Sequence, residues 1–146
     1  MSAGFVVDAS VGFSWVYHDQ ATPETHALLK EIGSGVPVVV PSFWFLEMAN
    51  VLLMAQRRHK LSPAQRKTAL EKLAAMQFTV DDGAAGSAFH QISELAEKYG
   101  LTVYDAAYLE IALRRKLSLA SRDEALRSAG KRCGLKLLCS TLHPPA

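Results

Sequence analysis

Four carboxylates lie where a folded chain commonly places reactive side chains: Asp8, Glu47, Asp105 and Asp123. Each follows a short apolar run or stands in the first turns of a predicted helix. In a parallel sheet, the carboxyl ends of the strands and the amino ends of the following helices share one edge, where ligands bind. We therefore expect these side chains, separated by 39, 58 and 18 positions, to converge in one pocket.

The three aspartates also fit a purely structural role, because a carboxylate at a helix start accepts backbone N–H bonds and favours the positive end of the helix dipole. Glu47 lacks that explanation. Residues 43–54 are apolar nearly all round the helix, which predicts a buried element. A buried carboxylate is costly unless it is paired or bound to a metal, and no Lys or Arg lies between Lys30 and Arg57. Glu47 therefore indicates function.

Several carboxylates in one cleft raise one another's pKa values unless a cation lies among them. Oxygen ligands without histidine or thiolate suit Mg²⁺ or Mn²⁺ rather than zinc. Such an ion activates a bound water and stabilises charge on a phosphate. The chemistry that fits is metal-assisted phosphodiester hydrolysis. The sequence has no GxSxG, GxxxxGK[ST] or GxGxxG motif that would indicate an α/β-hydrolase or a nucleotide-binding loop.

The elements that must position these residues are short apolar strands alternating with helices. This alternation predicts an α/β fold with a mainly parallel central sheet covered on both faces, a three-layer α/β/α sandwich. Strands are predicted at 5–7, 36–40, 78–80, 117–120 and 135–138. Helices are predicted at 22–32, 43–58, 84–99, 105–116 and 123–132, with another beginning at Ser62-Pro63. We expect residues 1–146 to form one domain.

Composition and charge narrow the classes of protein. With 49% apolar and 21% charged residues the chain is typical of globular proteins, and the net charge of +2 does not by itself indicate a nucleic-acid binder. Residues 57–146 carry fifteen bases against nine acids, whereas residues 1–56 carry one against five. The basic clusters at 57–60, 114–116 and 131–132 fit phosphate contacts or helix C-termini.

The chain has two cysteines, Cys133 and Cys139, too few for a disulfide framework. No signal peptide is evident at the amino terminus, because Asp8 interrupts the first apolar run. We expect a cytoplasmic protein.

Four stretches of the sequence occur in an order typical of one known family. They are residues 6–10 (Val-Val-Asp-Ala-Ser), Pro41 with residues 47–52 (Glu-Met-Ala-Asn-Val-Leu), residues 100–109 (Gly-Leu-Thr-Val-Tyr-Asp-Ala-Ala-Tyr-Leu) and residues 119–126 (Leu-Ala-Ser-Arg-Asp-Glu-Ala-Leu). Together they resemble the PIN-domain family, specifically the VapC-type toxins of bacterial and archaeal toxin–antitoxin pairs.

The resemblance implies a Rossmann-like α/β/α sandwich whose acidic pocket binds Mg²⁺ or Mn²⁺ and cuts RNA. Asp8, Glu47, Asp105 and Asp123 fall on the family's acidic positions. Ser10 and Ser121 fall where hydroxyl residues support the pocket, although the family often has threonine at the second position. Arg122 is not a fixed family feature and receives no role.

The resemblance also implies partners. Members of the family form homodimers and are silenced by a small cognate antitoxin, whose C-terminal segment crosses the acidic groove. The aromatic residues near the amino-terminal helices add an argument for a homodimer from the sequence itself. They are Phe13, Trp15, Trp44 and Phe45.

The sequence therefore predicts a metal-dependent endoribonuclease, the toxin of a toxin–antitoxin pair. One alternative is a catalytically inactive PIN-like module that binds RNA or protein. Another is an aspartyl-phosphate phosphatase with Asp8 as the nucleophile, but that chemistry requires a second aspartate where Ser10 stands.

Overall fold

The computed structural model describes residues 4–142. Within this range the strands are β1 (Phe5–Val7), β2 (Val38–Pro41), β3 (Thr79–Asp81), β4 (Ser118–Ala120) and β5 (Leu137–Leu138). The α-helices are α1 (Ala9–Val16), α2 (Pro23–Gly33), α3 (Trp44–Arg57), α4 (Pro63–Ala74), α5 (Ala84–Ser87), α6 (Gln91–Tyr99), α7 (Val103–Arg115) and α8 (Glu124–Arg132). A 3₁₀ turn covers His18–Gln20.

The strands form one sheet in the order β3-β2-β1-β4-β5, and every pairing is parallel. The helices flank it, so the predicted α/β sandwich is confirmed. The central strand β1 pairs with β2 on one side and β4 on the other, with Phe5 in register with both Val38 and Ser118. Its three residues are fully buried, as expected for a parallel strand covered on both faces.

Two helix starts carry the capping signals that the sequence predicts. The Thr22 hydroxyl accepts from the backbone N–H of Thr25, whose side chain accepts from Thr22 N, and Pro23 occupies the first helical position of α2. Ser62 and Gln65 form the same reciprocal pair at α4. These bonds satisfy N–H groups that have no partner inside a helix.

Two predicted helix boundaries are wrong. The single helix predicted at 84–99 is two helices, because the backbone of His90 (φ −122°, ψ −106°) is not helical. Helix α7 begins at Val103 rather than Asp105, because the Thr102 hydroxyl accepts a 3.1 Å bond from the backbone N–H of Asp105 and caps the helix. Asp105 therefore lies inside the first turn.

The prediction that the helix of residues 43–58 is buried all round is also wrong. Helix α3 buries one stripe, made of Trp44, Met48, Leu52 and Ala55, and packs through it against α1 and α4. Leu46 is 76% exposed on another face. Side-chain type alone does not reveal which apolar positions of a helix find a neighbour.

The aromatic residues offered for a homodimer interface lie mostly in the core. Phe13, Trp15 and Trp44 are buried, whereas Phe45 is 43% exposed. Three of the four therefore stabilise the monomer fold and are not available to a partner. Among residues 4–142, no helix is both long and apolar enough to cross a bilayer.

Candidate carboxylate site

Asp8 lies at the carboxyl end of β1 and is the N-cap of α1. It is 4% exposed, and its Oδ1 accepts a 3.2 Å bond from the backbone N–H of Val11. The Ser10 hydroxyl donates to Oδ1 at 2.6 Å, and the Ser121 hydroxyl donates a short bond to Oδ2. Capping and a role in a site, the two interpretations of Asp8, are thus compatible.

Each of the two serine hydroxyls also accepts a backbone N–H. Ser10 Oγ accepts from Arg122 N at 2.8 Å, and Ser121 Oγ accepts from Asp123 N at 3.0 Å. A hydroxyl carries a single hydrogen, and in both serines that hydrogen is directed at Asp8. Both residues predicted to support the pocket therefore contact the carboxylate of Asp8.

Glu47 lies in the first turn of α3 and is half-buried. Its Oε1 accepts a 3.1 Å bond from the hydroxyl of Tyr108, a residue of α7. Tyr108 is 1% exposed, and burial together with the charge of Glu47 raises its pKa. The phenol therefore stays protonated and remains a hydrogen-bond donor. Tyr108 belongs to the motif at residues 100–109, but the sequence alone assigned it no role.

Asp105 and Asp123 complete the predicted group. Asp105 is the third residue of α7, and Asp123 is the N-cap of α8, where its Oδ2 accepts a 2.9 Å bond from Leu126 N. The capping interpretation holds for Asp8 and Asp123. It fails for Asp105, because Thr102 occupies the cap position.

Burial and neighbouring charges raise the pKa values of three of the candidate carboxylates. Burial raises the pKa of Asp8 to about 6, opposed by its three hydrogen bonds and increased by the charge of Asp105. Burial also raises the pKa of Glu47, to which Asp105 and Asp8 contribute. The pKa of Asp105 is raised by burial and by the charge of Asp123. The fold thus places Asp105 near enough for its charge to act on Asp8 and Glu47, and Asp123 near enough to act on Asp105.

All four candidate acids carry carboxylate oxygens, the ligand type that hard divalent cations prefer. Among residues 4–142, the ion pairs that form involve Asp81 and Glu110 and none of these four acids. In the same range, no group of three His, Cys, Asp or Glu side chains stands close enough together to hold a metal ion. Mg²⁺ commonly binds one or two carboxylates and keeps several waters.

Asp81 is another buried acid, and the sequence analysis did not predict its burial. Asp81 ends β3, and the pair Asp81-Asp82 was interpreted as a turn. Oδ1 of Asp81 does accept from Gly83 N at 2.9 Å, but its side chain is 2% exposed and forms ion pairs with Arg114 at 2.8 Å and Arg115 at 2.6 Å. Arg114 and Arg115, two bases of the cluster at 114–116, thus stabilise the fold. Sequence analysis does not predict this pairing, because the two arginines lie far from Asp81 in the sequence.

A known family model matches the sequence, and several solved structures have a similar fold. The family model described as "PIN domain" matches residues 5–132. No curated protein matches the sequence.

Three solved structures are similar in fold. PAE2754 from Pyrobaculum aerophilum is 22% identical with a TM-score of 0.67, covering 92% of this chain and 83% of that one. VapBC2 from Rickettsia felis, bound to a DNA fragment from its promoter, is 15% identical with a TM-score of 0.61, covering 91% and 96%. A toxin–antitoxin complex from Klebsiella pneumoniae is 17% identical with a TM-score of 0.51, covering 82% and 87%.

Proposed function

This chain belongs to the PIN domain family, and on that premise we propose that it is a metal-dependent endoribonuclease that hydrolyses RNA phosphodiester bonds. PIN domains are generally nucleases. The observation that carries the proposal is the buried Asp8 carboxylate, which is held by two hydroxyl donors and whose pKa the charge of Asp105 raises further. Within residues 4–142, none of the four candidate acids forms an ion pair.

Asp8, Glu47, Asp105 and Asp123 are the proposed catalytic and metal-binding residues. When bound among them, Mg²⁺ or Mn²⁺ would lower the pKa of a water and offset the charge that develops on a phosphate. Ser10 and Ser121 fix the orientation of Asp8, and Tyr108 fixes that of Glu47. The chain therefore supplies preorganised anionic oxygens, so little reorientation is needed when substrate binds.

Tyr104 is the residue we propose for contact with an RNA base. It directly precedes Asp105 and is 64% exposed. Its ring packs edge-on against Phe43 with the centroids 5.6 Å apart, and Phe43 makes a similar contact with Tyr108. An exposed ring packed against Phe43 beside the proposed site suits base stacking, which is common in proteins that bind single strands.

We further propose that this ribonuclease is a cytoplasmic toxin controlled by a small antitoxin protein. The similar structure described as a toxin–antitoxin complex supports this partner, as does the resemblance to VapC-type toxins. The proposal of a homodimer rests on the same resemblance, since most of the aromatic residues first considered for it are buried. Light scattering at micromolar concentration that detects only monomer would contradict the dimer.

Cleavage assays with metal removal test the proposal. Purified protein should cleave RNA in the presence of Mg²⁺ or Mn²⁺, lose that activity in excess EDTA and regain it when the metal is restored. Asp8→Asn should abolish cleavage while the thermal stability stays close to that of the wild type. Asp82→Asn is the matched control, because Asp82 is exposed. Full activity of Asp8→Asn, or of the wild type in EDTA, contradicts the proposal.

One observation favours a second candidate, an inactive PIN-like module that binds RNA or protein. Within residues 4–142 no three candidate ligand side chains stand close enough together to enclose a metal ion. Calorimetry with Mn²⁺ separates the two candidates. Heat of binding that disappears in Asp8→Asn favours the nuclease, whereas RNA binding without any metal heat favours the module.

A further inference from the structure

Arg122 is a buried cation without a carboxylate partner among residues 4–142. It is 6% exposed, and no ion pair within that range includes it. Its Nη1 donates to Ser14 Oγ at 3.0 Å and to the Gln20 carbonyl at 2.6 Å, while Nε donates to the Ser140 carbonyl at 3.2 Å. Burying a charge against neutral acceptors is costly, so the contacts of this side chain need an explanation.

These contacts join segments that are distant in the sequence. Ser14 lies in α1, Gln20 ends the 3₁₀ turn, and Ser140 follows β5. The backbone of Arg122 adds a fourth connection, because its carbonyl accepts from Leu142 N at 3.2 Å. The turn of residues 121–123, which follows β4, is thus fixed on several sides through one residue.

The same turn orients both hydroxyls that bind Asp8. Its successive backbone N–H groups, at Arg122 and Asp123, donate to Ser10 Oγ and Ser121 Oγ. Because each hydroxyl accepts there, its single hydrogen is left for the carboxylate. A displacement of the turn would therefore disturb both hydrogen bonds to Asp8 together.

We propose that Arg122 is a positioning residue for the Asp8 carboxylate. Its guanidinium anchors the turn of residues 121–123, and this turn orients the hydroxyls of Ser10 and Ser121 towards Asp8. The consequence for metal affinity and cleavage rests on the proposed function. Arginine suits this task because its planar group donates along several fixed directions, whereas the ammonium group of lysine is a compact point charge on a flexible stem.

Arg114 provides a matched control. It is another arginine that joins two elements, through Asp81 and Glu110, although its side chain is 44% exposed. Neither partner contacts the four candidate acids through a hydrogen bond in the described part of the chain. Loss of Arg114 should lower stability without altering Asp8. Comparing Arg122→Met with Arg114→Met therefore separates a local effect on the site from a general loss of stability.

The first measurement uses metal-free protein and does not depend on nuclease activity. Amide hydrogen exchange should be faster at Arg122 N and Asp123 N in Arg122→Met, by on the order of tenfold, because the turn loses its anchor. Arg122→Lys should behave similarly, and Arg114→Met should leave these two amides unchanged. Unchanged exchange in Arg122→Met, or an equal increase in both methionine variants, overturns the proposal.

The second measurement tests the consequence for the site. Loss of a group that orients a metal ligand by hydrogen bonding typically reduces metal affinity or activity by about 10- to 100-fold. Arg122→Met should therefore weaken Mn²⁺ binding and lower kcat within that range while leaving KM for RNA nearly unchanged. Normal Mn²⁺ affinity and kcat in Arg122→Met overturn the positioning role. If the wild type neither binds Mn²⁺ nor cleaves RNA, the proposed function fails instead, and the exchange result still decides whether Arg122 anchors the turn.

A milder variant covers the case in which Arg122→Met does not fold. Ser14→Ala removes one acceptor of Nη1 and leaves the bonds to Gln20 and Ser140, but it also removes the bond that the Ser14 hydroxyl donates to the Ser10 carbonyl. Because Ser10 accepts from Arg122 N, exchange is read at Asp123 N, where we expect it to rise by about threefold, as for the loss of one hydrogen bond of the guanidinium. No change at this amide would contradict the proposal.

Discussion

Ser121 donates a hydrogen bond to Oδ2 of Asp8, although 113 positions separate the two residues in the sequence. The contact follows from the pairing of β1 with β4, in which Val7 is in register with Ala120. The residues that follow these two strands therefore meet at the same edge of the sheet. The sheet thus brings an acid and its hydroxyl donor together before any ligand is present.

Removal of this hydroxyl should weaken the site. In Ser121→Ala, Asp8 loses one of its two side-chain donors, and Asp123 N loses its acceptor. Because the donors stabilise the charged carboxylate, we expect metal affinity and kcat to fall by about tenfold or more. Mn²⁺ calorimetry and RNA cleavage measure the two effects.

Two variants complete this test. Ser118→Ala makes the same chemical change three residues earlier, in β4, and should leave metal affinity unaltered. Ser121→Thr retains the hydroxyl, and we expect it to keep more activity than Ser121→Ala. Equal activity of Ser121→Ala and the wild type would show that the bond to Asp8 is dispensable.

The hydroxyl of Tyr108 should govern the ionisation of Glu47. Its hydrogen bond lowers the pKa of Glu47, against the larger effect of burial. In Tyr108→Phe the pKa of Glu47 should rise further, so the acid limb of the cleavage profile should move to higher pH. Tyr99→Phe is the control, because the Tyr99 ring contacts the cations of Lys98 and Arg132. This variant should leave the pH profile of cleavage unchanged. A profile that does not move in Tyr108→Phe contradicts this role.

The sequence predicted the sheet that positions the candidate acids better than it predicted the contacts that support them. The short apolar runs before Asp8 and Asp123 identified the parallel sheet, and its topology brings these acids to one edge. The sequence assigned no role to Tyr108, because its partner, Glu47, lies 61 positions away. The contacts of Arg122 depend on how the carboxyl-terminal segment returns to α1, which no local pattern encodes.

For helix α3, the sequence predicted more burial than the structure has. Its nearly continuous apolar sequence predicted burial on all sides, yet Leu46 is 76% exposed. Glu47 is only half-buried, so burial gives less support for its role than the sequence indicates. Its proposed role is supported instead by the bond from Tyr108 and by the charges of Asp8 and Asp105.

Tyr104 should contribute to RNA binding rather than to the chemical step. Stacking of a base on an aromatic ring contributes about 1–3 kcal/mol, so Tyr104→Ala should raise KM or Kd for RNA by on the order of tenfold, with kcat little changed. Tyr104→Phe keeps the ring and should retain normal affinity. Binding to an inactive Asp8→Asn background, measured by fluorescence anisotropy, isolates the effect. Equal affinities of the alanine and phenylalanine variants would exclude stacking.

Asp81 should make the stability of the protein depend on pH. Burial by itself would raise its pKa, but hydrogen bonds from Arg114, Gly83 N and Arg115 outweigh that effect and lower the pKa from 3.8 to about 2. Because the pKa is lower in the folded state, the stabilisation is fully present above about pH 4 and is lost as the pH falls towards 2. Its magnitude is at most about 2 kcal/mol, since Arg114 and Arg115 are partly exposed.

The comparison of Asp81→Asn with the wild type measures this contribution, because asparagine does not titrate. Urea unfolding at pH 5, 4 and 3 should give a difference in the free energy of unfolding that narrows as the pH falls. Asp8, whose raised pKa acts in the opposite direction, is present in both proteins and cancels. Asp82→Asn should show no such narrowing, because Asp82 is exposed. A constant difference for Asp81→Asn would mean that the two arginines stabilise the fold by packing rather than through the charge of Asp81.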